Sequence, residues 1–92
     1  MNSDILDAKP SADEKIAIIG IFISDFQAAE AVNALLHEYG SYIVGRMGIP
    51  FREKKLNIIS IIICADNKII SALSGKLGRI KGIRAKAMQT DI

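Results

Sequence analysis

The chain has 92 residues, half of them hydrophobic and 18 of them isoleucine, with no Trp, one Cys and a net charge of +2. That length makes a single domain, burying roughly 60% or a little more of its unfolded surface. A lone Cys excludes an internal disulfide and agrees with a reducing compartment. No apolar run approaches the roughly 18 residues of a membrane-spanning helix, and the first residues lack the basic start and long apolar core of a signal peptide, so a cytoplasmic protein is expected. So hydrophobic a composition in so small a domain points to a surface partly covered by a partner.

Charge is unevenly spread. Residues 1–14 carry Asp4, Asp7, Asp13 and Glu14 against Lys9, and Pro10 breaks them; they read as a disordered acidic extension, with the domain running over 15–92. From Arg52 onward nine Lys and Arg stand against Glu53, Asp66 and Asp91. The imbalance permits an anionic partner without demanding one.

Lys15 to Ile23 reads as a strand apolar on both faces, with Ile16, Ile18, Gly20 and Phe22 on one and Ala17, Ile19, Ile21 and Ile23 on the other. Ser24 reads as a helix N-cap with Gln27 completing a capping box, and Asp25 favours the dipole. The helix runs to about Tyr39, with Ala28, Val32, Leu35, Leu36 and Tyr39 on its buried stripe and Gly40 as a left-handed stop. Ser41 to Ile49 follows as a strand, and Gly45, Gly48 and Arg46 mark it as an edge.

Pro50 to Lys55 makes a hairpin turn into Leu56–Ala65, a second doubly apolar strand. There Leu56, Ile58, Ser60, Ile62 and Cys64 share one face; Asn57, Ile59, Ile61 and Ile63 share the other. Asp66 or Asn67 caps a helix that buries Ile69, Ile70, Leu73 and Leu77. Gly75 inside it costs about 1 kcal/mol relative to Ala, and close packing on the sheet is the expected compensation. Gly78 ends it. Gly82 to Gln89 is a last strand, with Ile83, Ala85 and Ala87 inward and Arg84 and Lys86 outward.

The order strand, helix, strand, strand, helix, strand leads to an α+β, ferredoxin-like βαββαβ sandwich, an antiparallel four-stranded sheet with two helices on one face. Its first and third strands are central, the positions the two doubly apolar strands require. Two helices cover one face and leave the other open, a projection of roughly 400 Å². Covering it at about 25 cal/mol/Å² returns on the order of 10 kcal/mol per subunit before association costs. Self-association through that face is therefore expected, as a dimer or a tetramer built of dimers.

Chemistry-bearing residues are sparse. Cys64 near the end of a buried strand reads as a structural thiol. His37 falls opposite the apolar stripe, and one His with one Cys cannot make a four-ligand zinc site, so no metal or other cofactor is expected. The basic run Lys76, Arg79, Lys81, Arg84 and Lys86 has no intervening acid and is the candidate for nucleic-acid contact, although no aromatics interleave for base stacking. SGKLG lacks the earlier glycine of a phosphate loop, since Ile70 stands there. No carboxylate pair or nucleophile–base pair appears, so enzymatic activity ranks last.

Three segments, IAIIGIFISD, VGRMGIPFRE and ALSGKLGRIKGI, carry a resemblance over about residues 15–90 to the small ACT-like proteins described as regulators of the iron-only hydrogenase system. The resemblance implies a ferredoxin-like fold, oligomerisation and a role in expression or maturation of that hydrogenase. ACT domains as a wider class often bind amino acids between subunits near the turn from first strand to first helix. That makes Ser24 and Asp25 positional candidates here, although the turn lacks the glycine that lets a ligand approach. Arg46 on the edge strand is a further candidate for an acidic ligand at an interface. The readings carried forward are a homo-oligomeric module binding a small-molecule effector or a hydrogenase-maturation protein, and, as the alternative, a DNA-binding transcriptional regulator using residues 76–86.

Overall fold

Runs of isoleucine, stiff at χ1 and suited to a pleated surface, become the two central strands. In the computed structural model, which describes residues 13–90, β1 spans Glu14–Ile23 and β3 spans Leu56–Asp66. The margins are β2, Ile43–Phe51, and β4, Ile83–Thr90. The order across the antiparallel sheet is β2-β3-β1-β4. Helices α1, Ala28–Glu38, and α2, Asn67–Gly78, complete the ferredoxin-like βαββαβ sandwich. Expectations for residues 1–12 lie outside the described residues, and Glu14 already belongs to β1.

The covered face is dry. Ala17, Ile19, Ile21 and Ile23 of β1 and Ile59, Ile61, Ile63 and Ala65 of β3 are buried against Val32 and Leu36 of α1 and Ile70, Leu73 and Leu77 of α2. Each of the Ile, Leu and Val side chains among them contributes about 1.5–3 kcal/mol by leaving water. Asp66 caps α2: its Oδ1 accepts from the Ile69 N–H at 2.9 Å.

The start of α1 differs from the sequence expectation. The helix begins at Ala28, and Gln27 occupies the N-cap without a side-chain bond. Ser24 instead donates to the Gly82 carbonyl through both its N–H, at 2.9 Å, and its hydroxyl, at 3.1 Å. Asp25 makes an Asx-turn, its Oδ1 accepting from the Gln27 N–H at 3.0 Å. Gly82 explains why this junction forms. It has φ 84, and a Cβ there lies 2.6 Å from the Asp25 Cβ, so only glycine fits.

Two other glycines also behave otherwise than expected. Gly40 has no positive φ; the chain leaves α1 through a 3-10 turn, Gly40–Tyr42, with the Tyr42 N–H donating to the Tyr39 carbonyl at 3.0 Å. Gly75 is exposed, and a Cβ added there meets nothing within 4 Å, so close packing on the sheet is not its compensation. On β2 the glycine-rich stretch does hold a bulge. Ile43 pairs with Ile63 and Gly45 with Ile62, which leaves Val44 as the extra residue.

Candidate functional site

The face of the sheet turned away from the helices gathers the unexplained apolar surface. Strand register sets its side chains in rows across the sheet. Gly45, Ile62, Ile18 and Met88 form one row; Ile49, Ile58, Phe22 and Arg84 form another; Met47, Ser60, Gly20 and Lys86 lie between them. Ile16 and Cys64 flank the first row, and Phe51 and Leu56 flank the second. Ile16, Ile18, Phe22, Met47, Ile49, Phe51, Ile62 and Met88 are between 40 and 69% exposed. At about 200 Å² each when free, these eight side chains present roughly 800 Å² of accessible apolar surface, as much as one partner contributes to a standard protein interface.

The acidic end of this face is tied down. Cys64 Sγ–H donates to Glu14 Oε2 at 3.3 Å. Burial, then the hydrogen bond to Glu14 and its negative charge, hold the thiol above its ordinary range. That keeps Cys64 a poor nucleophile near neutral pH.

The ligand candidates fall in two separate places. Ser24 and Asp25 sit in the β1–α1 junction, with their side-chain oxygens engaged as described above. Arg46 lies on the helix side of β2, opposite Ile61, and its Nη2 donates to Asn33 Oδ1 of α1 at 3.0 Å. Beside it is a shallow cavity of about 280 Å³, bordered by Ala29, Asn33, Pro50, Asn57 and Ile59.

The basic candidates also divide. Lys76 Nζ donates to Tyr39 Oη at 2.9 Å and stands 5.1 Å from the centre of that ring, on the helix layer. The hydrogen bond raises its pKa and keeps the ammonium charged. Arg79 caps α2 and Lys81 lies in the turn beyond it, whereas Arg84 and Lys86 belong to the open face. Among the described residues, no group of three or more His, Cys, Asp or Glu side chains comes together, and no helix is long and apolar enough to cross a membrane. Met47, Ser60 and Met88 were not singled out in the sequence. Strand parity carries the signal for Ser60, but β2 loses its parity at the Val44 bulge.

TM1266 from Thermotoga maritima, a solved but uncharacterized protein, is 39% identical, with a TM-score of 0.80 over 83% of this chain and 96% of that one. The C-terminal domain of the MgtC protein from Mycobacterium tuberculosis superposes with a TM-score of 0.69 at 10% identity, over 91% of this chain and 95% of that one. A formyltetrahydrofolate deformylase from Pseudomonas putida KT2440 does so at 0.57 with 11% identity, over 79% of this chain and 28% of that one. These two share the fold alone. No curated protein matches the sequence. Residues 15–87 match the TM1266-like family, described as "Iron-only hydrogenase system regulator, putative". By that match and by its identity to TM1266, the chain belongs to the TM1266-like family.

Proposed function

We propose that this chain regulates the iron-only hydrogenase system as a cytoplasmic, non-enzymatic module that works when two copies associate through their open sheet faces. The observation that carries the reading is the apolar surface of roughly 800 Å² on that face. Left in water it is a liability; covered by a second copy it reaches the size of a stable interface. An effector or a maturation protein that favours one state of association over another then has a physical means of control, through its differential affinity. Among the ligand candidates, Arg46 borders a cavity.

Sedimentation velocity tests the assembly. The chain should sediment as a dimer or larger at micromolar concentration, and Ile18→Asp should sediment as a folded monomer with an unchanged circular dichroism spectrum. A wild-type monomer at that concentration overturns the reading. For the regulatory half, deleting the gene should change hydrogenase activity severalfold in cells, and unchanged activity counts against it.

A further inference from the structure

The open face is apolar except for an interruption at its centre. Rows carrying Ile62 and Ile18 on one side and Ile58 and Phe22 on the other enclose a row whose two central residues are Ser60 and Gly20. Nothing lies within 4 Å of where Gly20 would carry a Cβ. Packed sheets stand about 10 Å apart. Isoleucines from two sheets meet across that distance, whereas a serine and a glycine do not. A second copy laid on this face, the reading on which this inference rests, therefore leaves a hollow at the centre.

Charge selects the direction of the two-fold axis. An axis crossing the strands through the middle row sets Lys86 against Lys86 of the second copy, and like charges directly opposed are unfavourable. An axis along the strands, between β1 and β3, sets Ile18 over Ile62 of the second copy and Phe22 over its Ile58. Lys86 then lies over Met47 and Arg84 over Ile49. In this arrangement Gly20 faces Ser60, and each Lys86, opposite Gly20 in the register, has its stem free to cross the glycine toward the axis.

The hollow is thus bordered by two Ser60 hydroxyls and two Lys86 ammonium groups. The Ser60 hydroxyl makes no hydrogen bond to another described residue, and a hydroxyl buried without a partner is costly. The carboxylates borne by β1 and β3, Glu14 and Asp66, lie six residues along their strands, about 20 Å away. We infer that the Ser60–Gly20–Lys86 trough, closed by a second copy, is a binding site for one small oxyanion per dimer, its oxygens accepting from the Ser60 hydroxyls and Lys86 ammonium groups in a way a halide does not reproduce.

The test measures the dimer dissociation constant by sedimentation equilibrium in phosphate and in acetate, each against chloride at equal ionic strength. Because the anion binds only the closed pair, at ten times its own dissociation constant it should tighten the dimer roughly tenfold. Lys86→Gln and Ser60→Ala should abolish that dependence while still dimerising in chloride. Gly20→Val, whose side chain enters open space in the single chain, should remain folded and lose the dependence too. A dimer equally tight with and without both anions, or an anion dependence that survives Lys86→Gln, overturns the site while leaving the self-association standing. No dimer in any buffer overturns both.

Discussion

Ile61 and Ile62 are adjacent on the same central strand, yet one is fully buried and the other is 43% exposed. The same division runs along β1, where Ile19 and Ile21 are sealed beneath the helices while Ile16, Ile18 and Phe22 meet solvent. The two faces have nearly equal hydrophobicity, so composition does not tell them apart. What separates them is that the chain supplies its own cover for one and none for the other. The covered side accounts for folding, and the uncovered side is the surface left to account for function.

Substituting the two neighbours is the most severe test of that division. Ile61→Ala should cost about 2–5 kcal/mol in urea unfolding of the single chain, and Ile62→Ala less than about 1 kcal/mol. Ile62→Ala should instead weaken association, read by sedimentation. Equal losses of stability would erase the distinction between the faces.

The next effect concerns the junction that holds the covered side together. Gly82→Ala should destabilise by about 1–3 kcal/mol, because it combines a left-handed backbone with a clash against Asp25. Gly75→Ala, on the exposed outer surface of α2, should do the reverse and stabilise by about 0.5–1 kcal/mol. Thermal unfolding at a concentration favouring monomers separates the two.

Cys64 reports on the open side alone. Its pKa is raised, so the reactive thiolate is scarce at pH 7–8 and accumulates only as pH rises above the ordinary thiol range. Alkylation by iodoacetamide should therefore be slower than that of a free thiol at pH 8 and should climb at higher pH. Glu14→Gln, which removes the neighbouring charge, should make it faster. Raising protein concentration should slow it further as the face is covered.

Much of the fold was legible because its signals are local. Alternation in residues 15–23 and 56–65 identifies both central strands and divides each into its two faces, but not which face the helices cover, and Asp66 takes the cap position that Asp66 and Asn67 both fitted. The first helix start was misread for a physical reason. Ser24 and Gln27 satisfy a capping-box pattern, but Ser24 is claimed by a carbonyl 58 residues away, which no local pattern encodes. The scattering of Ser24, Asp25 and Arg46 has the same origin, since Arg46 finds its partner on α1 rather than along its own strand. Lys76 was grouped with Arg84 by closeness in sequence, and the turn between helix and strand sends them to different layers.

The bulge at Val44 and the proline at position 50 have a consequence for how far assembly can proceed. A bent strand with a missing donor is a poor template for another chain, so sideways extension into a continuous ribbon stops at β2. Stacking consumes the sticky plane in a single step. Under the pairing proposed above, crowding such a protein should fill a population of closed particles and leave fibres unformed.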